Sequence, residues 1–105
     1  MSSLQNITEG EFKAAVATGV VLVDFWAPWC RPCIALTPTL EQAAQELGDK
    51  AKIVKMDIDA NPTVPAELGI MSIPALVLFK DGKRVDQRGS LSSVAAVKTF
   101  VESAC

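Results

Sequence analysis

Two cysteines three residues apart, Cys30 and Cys33, are the residues of this chain best suited to chemistry. A helical pattern follows them, and one helical turn puts both sulfur atoms on one face, within reach of a disulfide bond. The unpaired amides and the dipole at the start of that helix favour a thiolate at Cys30. Cys33 lies one turn deeper and should be more buried. The spacing therefore predicts that Cys30 attacks a disulfide and that Cys33 resolves the intermediate.

A zinc site and an inert cysteine pair are the alternatives to redox chemistry at this motif. Structural zinc needs four ligands, commonly two cysteine pairs or one pair with histidines. The chain has three cysteines, the third being the distant Cys105, and no histidine. We therefore predict no metal, and without a glycine-rich dinucleotide loop we predict no cofactor. An inert pair is disfavoured because Trp26 and Trp29 flank the motif after a buried strand.

Composition and charge narrow the class of protein. The 105 residues, half of them apolar, fit one domain spanning residues 1–105. Ten basic and twelve acidic residues give a net charge of -2 without a basic run, which disfavours nucleic acid and anionic membranes as partners. The N-terminus lacks signal-peptide features, and no apolar stretch is long enough to span a membrane. We expect a cytoplasmic monomer.

Helical and strand patterns alternate along the first half of the chain. A capping box of Thr8 and Glu11 begins a helix that runs towards Gly19. The β-branched run 20–23 is typical of a strand buried on both faces. The cysteine motif then begins a long amphipathic helix that contains Pro38 and is closed by a glycine.

The second half of the chain completes an α/β pattern. Apolar and polar side chains alternate over residues 53–58, as in a strand. Asn61 then precedes Pro62 as the cap of a short helix. Residues 75–79 form another buried strand, from which Asp81-Gly82 turns into an edge strand. Leu91 begins the apolar stripe of the last helix. This order predicts a three-layer α/β fold, in which helices cover both faces of a central mixed β-sheet.

Residues 23–33, with the sequence VDFWAPWCRPC, resemble the active-site segment of the thioredoxin family. The resemblance covers nearly the whole chain and includes Pro38, residues 57–62, Ile73-Pro74, residues 79–82 and Gly89. It implies a thioredoxin fold and a thiol–disulfide oxidoreductase that reduces protein disulfides. The implied partners are disulfide-containing proteins and a thioredoxin reductase that recharges the pair. An oxidant or isomerase and a non-catalytic docking subunit on the same fold remain open as alternatives.

The resemblance also implies roles for residues around the cysteines. Asp24 matches the family's buried aspartate, which helps to deprotonate Cys33 through a water molecule. Burial should raise the pKa of Asp24 towards the range of a useful base. Lys55 matches the lysine that lowers the pKa of that aspartate. The alternatives are that Asp24 merely ends its strand and that Lys55 is a solvated strand residue.

A substrate groove is implied around Pro74, which matches a cis-proline facing the cysteines. The cis bond leaves the Ile73 backbone free to pair with an extended peptide. Trp26 is expected to pack beneath the site as core. The residues expected to line this apolar groove are Trp29, Pro32, Met71, Ser72, Ile73, Gly89 and Ser90.

Two positions depart from the common family pattern. Arg31 stands where many members have glycine, and Ile34 where many have lysine. A cation about 6 Å from Cys30 contributes roughly 0.7 kcal/mol, or about 15 mV, against a gap of about 150 mV to a strong oxidant. Arg31 should therefore adjust the potential and the choice of partner without reversing the reaction. We place Cys105 outside the mechanism, as a thiol able to form intermolecular disulfides.

Overall fold

A computed structural model describes residues 3–105 and contains the predicted alternation of helices and strands. A short 3₁₀ turn, Gly48–Lys50, follows the longest helix. Within the described residues the elements are β1 Gln5–Asn6, α1 Glu9–Val16, β2 Val20–Trp26, α2 Arg31–Leu47, β3 Lys52–Asp57, α3 Thr63–Glu67, β4 Ala75–Lys80, β5 Lys83–Arg88 and α4 Val94–Glu102.

The five strands form one mixed sheet in the order β1-β3-β2-β4-β5. β2 pairs in parallel with β3, as expected for the strand–helix–strand unit around α2. β4 runs antiparallel to β2, and β5 antiparallel to β4. The turn between β4 and β5 has positive φ at Asp81 (49°) and Gly82 (86°), the conformation for which this residue pair is favoured.

Helices cover both faces of the sheet, which confirms the predicted three-layer α/β fold. One core lies between the sheet and α2 and α4, and it contains Leu22 of β2 and the fully buried Leu40 of α2. The other core lies under α1 and α3 and contains Val23 and Phe25. Because side chains alternate along a strand, Asp24 shares the face of Leu22 and lies on the α2 side of the sheet.

Three boundaries differ from the sequence prediction by three residues each. The strand predicted over residues 20–23 continues to Trp26, so the interpretation that Asp24 ends the strand is wrong. α1 stops at Val16 instead of reaching Gly19. α4 begins after its cap Ser93, so Leu91 packs on the core from the preceding segment.

Asn61 caps a different helix from the one predicted. Its Oδ1 accepts a hydrogen bond of 2.9 Å from the backbone N–H of Glu9, the first residue of α1. The Glu9 carboxylate in turn accepts from the backbone N–H of Thr63, the first residue of α3. The two helix starts therefore satisfy each other's free amides, a tertiary pairing that local sequence signals do not contain. Within residues 3–105, no helix has the length and apolar character of a membrane span.

Candidate active site

Cys30 and Cys33 form a disulfide bond at the start of α2, with their Cα atoms 5.3 Å apart. Cys30 is the N-cap residue, so its extended backbone precedes the first turn of the helix. The backbone N–H of Cys33 points at Cys30 Sγ, 3.3 Å away. Cys30 is 5% exposed and Cys33 is fully buried. The sulfur nearer to solvent is thus also the one that receives a helix N-terminal amide, which stabilises negative charge there.

Asp24 is a completely buried carboxyl group on the strand that leads into the cysteine motif. Neither of its oxygens has a hydrogen-bond partner among the described residues. Burial raises the pKa of Asp24 from 3.8 to about 7, and the positive charge of Lys55 opposes part of that rise. At neutral pH the group is therefore close to half-ionised and able both to accept and to release a proton.

Lys55 is the neighbour of Asp24 on β3, where the two residues pair in register. It is only 4% exposed, so the alternative of a solvated strand lysine is wrong. Its Nζ lies 4.2 Å from the centroid of the Trp26 ring and donates a hydrogen bond of 3.1 Å to Thr37 Oγ1. Among residues 3–105 its ammonium forms no ion pair within 4.0 Å. Lys55 therefore acts on Asp24 from a distance.

Trp26 is a half-buried residue that packs against the cysteine pair, close to the expected position beneath the site. Its indole Nε1 donates a hydrogen bond of 2.9 Å to Asn6 Oδ1 on β1. Its ring faces the Lys55 ammonium. The tryptophan thus connects the edge strand β1 to the Lys55 ammonium.

Trp29 is 65% exposed at the rim of the site and is nevertheless held in one orientation. Its Nε1 donates a hydrogen bond of 2.9 Å to Asp59 Oδ2. Beside it, Met71 is 95% exposed. A cavity of about 410 Å³, here named the Trp29 hollow, is lined by Trp29, Ile58, Pro62, Pro65, Ala66, Ile70, Met71, Ser72 and Ile73.

The remaining predicted groove residues lie apart from the Trp29 hollow. Pro32 and Ser90 line a second cavity of about 270 Å³, here named the Pro32 hollow. Its other lining residues, among them Leu36 and Leu91, come from α2 and from the segment that precedes α4. Gly89 and Pro74 line neither cavity. The Ile73–Pro74 bond is cis, and Ile73 packs against the cysteine pair. The structure thus divides the single predicted groove into two hollows.

The two departures from the family pattern are both on the surface. Arg31 is the first residue of α2 and is exposed, and Ile34 is 52% exposed. Cys105 is an exposed free thiol beyond the last helix, with Sγ 3.8 Å from the Val101 carbonyl oxygen. Within residues 3–105, no group of three His, Cys, Asp or Glu side chains is arranged to hold a metal ion.

Sequence reasoning missed Thr37 and Asp59, and signals for both were present. Thr37 follows Cys33 by four residues, the spacing that places two helical residues on the same face. Asp59 lies in the 57–62 segment that matched the family, but no contact could be assigned to it. Its partner Trp29 is 30 residues away along the chain.

This fold and this site together define a thiol–disulfide oxidoreductase. The family model for thioredoxin matches residues 3–103, and the chain belongs to the thioredoxin family. It is 52% identical to thioredoxin of Bacillus subtilis (strain 168) over 99 residues, covering 94% of this chain and 95% of the relative. Thioredoxin of Staphylococcus aureus (strain Mu50 / ATCC 700699) is 46% identical over 85 residues, 81% of this chain and 82% of the relative.

A solved structure agrees with these relatives. A mutant thioredoxin from Halobacterium salinarum NRC-1 superposes with a TM-score of 0.86 at 34% identity, covering 96% of this chain and 88% of the other. Family membership and the disulfide-forming pair confirm the prediction of a protein-disulfide reductase. Its partners as a member of this family are disulfide-containing substrates and a reductase.

Proposed function

We propose that the chain reduces protein disulfides with Cys30 as the nucleophile, Cys33 as the resolving thiol and Asp24 as the base for Cys33. The observation that carries this proposal is the fully buried, unpartnered Asp24 carboxyl group beneath the cysteine helix. A carboxyl group in that position is costly for the fold, which argues for a chemical role.

The reaction proceeds in two exchanges. The Cys30 thiolate attacks one sulfur of the substrate disulfide, and the first substrate thiol leaves as a mixed disulfide forms. Asp24 then takes the Cys33 proton through a water molecule, and the Cys33 sulfur attacks Cys30 Sγ. The second substrate thiol leaves, the Cys30–Cys33 disulfide forms, and two electrons have passed to the substrate. An external reductase restores the dithiol.

Lys55 supports this chemistry by opposing the rise in the pKa of Asp24. Without a nearby cation, burial would keep the carboxyl group protonated at neutral pH, and it would not accept the Cys33 proton. Lys55 therefore keeps Asp24 in a range where it can work as a base.

Substrates dock on the surface around Trp29 and Pro74. The Trp29 hollow takes an apolar side chain beside the cysteines, and its exposed Trp29 and Met71 provide the contact area. The Ile73 backbone pairs with the extended substrate chain next to the cis bond. The remaining contacts come from Ser72, Gly89, Ser90, Pro32 and Arg31.

We place this single domain of residues 1–105 in the cytoplasm as a monomer that has no nucleic-acid partner. The net charge of -2 provides no field to attract a polyanion. The exposed edge strand β5 carries Lys83, Arg84, Asp86 and Arg88, charges that discourage pairing with a second copy.

Asp24→Asn is the variant that tests the proposed mechanism. With a peptide disulfide in a single turnover, we expect release of the first thiol at an unchanged rate. Release of the second thiol should be about tenfold slower at pH 7, because Cys33 has lost its base. The pH–rate profile of this step should also lose its inflection near pH 7. Rapid acid quenching at several pH values measures both steps. Asp49→Asn, on the exposed 3₁₀ turn, is the matched control. An unchanged second step would contradict the role of Asp24.

Arg31 is expected to raise the redox potential slightly. Arg31→Gly should lower the potential of the Cys30–Cys33 pair by about 15 mV, since a solvated cation near Cys30 stabilises the reduced thiolate by only about 0.7 kcal/mol. Arg31→Lys keeps the charge and should retain the potential. Equilibration with glutathione buffers measures all three proteins. A wild-type potential close to that of strong oxidants would contradict the reductive direction.

A further inference from the structure

We propose that Thr37 is a positioning residue for the resolving step: its hydroxyl holds the Lys55 ammonium under the cysteine helix and apart from the Asp24 carboxylate. This inference rests on the proposed function, in which Asp24 takes the Cys33 proton. It adds a residue that touches neither substrate nor the exchanging sulfurs.

The Thr37 hydroxyl links Lys55 to the turn of α2 that carries Cys33. Oγ1 accepts a hydrogen bond of 3.1 Å from Lys55 Nζ and donates one of 3.3 Å to the Cys33 carbonyl oxygen. A hydroxyl has one proton, and an ammonium can only donate, so the direction of both bonds is fixed. Donation to the carbonyl four residues earlier also fixes the rotamer of a helical threonine. The lysine head is therefore bound to a rigid part of the helix.

The second contact of the Lys55 ammonium is with an aromatic ring. Nζ lies over Trp26, whose own position is fixed by the hydrogen bond to Asn6. While it contacts both the hydroxyl and the ring, Nζ lies beyond ion-pair distance of Asp24, although the two residues are register partners. Cation–π attraction keeps the head below α2 but supplies no hydrogen-bond acceptor of its own.

The groups that face Asp24 leave one charged partner for it. Lys55 is its register partner on β3 and the apolar Leu76 its register partner on β4, while α2 and α4 pack on the same face of the sheet through apolar residues such as Leu40 and Val101. If the Thr37 hydroxyl is removed, the freed Lys55 donor can turn to the unpartnered carboxylate of Asp24, its register partner and the group on which its charge already acts. A direct ion pair would then stabilise the ionised form of Asp24 and make it a weaker base.

Thr37→Val keeps the β-branched shape and removes only the hydroxyl, whereas Thr37→Ser keeps the hydroxyl. In the valine variant, we expect the midpoint of the pH profile for second-thiol release to fall by about one pH unit. The plateau rate at high pH should fall about threefold, since the weakened carboxylate is a poorer proton acceptor. The serine variant should retain the wild-type profile. A purely structural role for Thr37 would change the rate without moving the midpoint.

Lys55→Met shows whether Thr37 acts through the lysine. In that background, Thr37→Val should cause no further shift of the midpoint, because no ammonium remains to be repositioned. Thr99→Val, at an exposed position on α4, is the matched control for the loss of a helical threonine hydroxyl. A carboxyl-carbon NMR titration of Asp24 in the valine variant should show the same downward movement in the absence of substrate.

Two results would overturn this inference. One is a valine variant whose profile and Asp24 titration superimpose on those of the wild type. The other is a shift of equal size in the serine variant or in the Lys55→Met background. Failure of the proposed function is distinguishable, because Asp24→Asn would then leave the second step unchanged. If Asp24→Asn slows the second step but Thr37→Val does not move the midpoint of its pH profile, only the inference about Thr37 is wrong and the proposed function stands.

Discussion

Cys33→Ser will abolish turnover and leave substrate proteins attached to Cys30 as mixed disulfides. Cys30 keeps its position at the helix start, so the first exchange still occurs. A serine hydroxyl is not ionised at neutral pH and forms no disulfide, so the second exchange has no nucleophile. We expect the steady-state rate to fall at least about a thousandfold. Insulin-type disulfide reduction coupled to a reductase measures the rate.

The third cysteine determines how the trapping experiment is designed. Cys105 is exposed and free, so it can form adducts of its own. A Cys105→Ser background removes them and should keep full turnover, since Cys105 lies outside the proposed mechanism. In that background, Cys33→Ser should capture substrates that dithiothreitol releases. Cys30→Ser should capture none, because Cys33 is fully buried. Equal capture by both variants would contradict the assigned order of attack.

Replacing both Cys30 and Cys33 with serine tests the docking-subunit alternative. A catalytic reductase loses its biological activity in this variant, whereas a docking subunit keeps it. The fold itself should survive, because the apolar cores on both faces of the sheet do not depend on the disulfide. Survival of the biological activity would therefore show that the redox chemistry is incidental.

Local patterns were sufficient to predict the cysteine pair and its helix. The spacing of Cys30 and Cys33 and the apolar periodicity of the following residues are contained within α2 itself. The end of β2 was harder to locate, because a strand buried on both faces has no alternation to follow. The alternative that Asp24 merely ends the strand is wrong, because the strand continues through it to Trp26. In the proposed mechanism, this polar residue inside an apolar strand is the base for Cys33.

Contacts between distant segments account for what the sequence did not reveal. Asn61 was assigned to its own helix by proximity, but it binds the backbone of Glu9, 52 residues away along the chain. Among the residues predicted to line the groove, Ser90 and Pro32 line a different hollow from Met71. Such arrangements depend on strand order and register, which a single sequence does not specify residue by residue.

The buried carboxyl group of Asp24 is expected to make the oxidised protein progressively less stable between pH 4 and pH 7. Its pKa is about 7 in the folded protein and 3.8 as the ordinary value. In this window the folded state holds a proton that the unfolded state has lost, so the free energy of unfolding falls as pH rises. The difference between these two pKa values corresponds to about 4 kcal/mol of unfolding free energy, and this stability is fully lost above pH 7.

Asp24→Asn removes this pH dependence because an amide does not titrate. The variant leaves a buried polar group without partners, so its absolute stability includes a penalty that is the same at every pH. The difference in unfolding free energy between variant and wild type should therefore move by about 4 kcal/mol in favour of the variant between pH 4 and pH 8. Reversible denaturant unfolding of both oxidised proteins measures it, with Asp49→Asn as an exposed control. A difference that stays constant within about 1 kcal/mol would mean that the Asp24 pKa in the folded protein is close to its ordinary value, and the proposed base would lose its physical support.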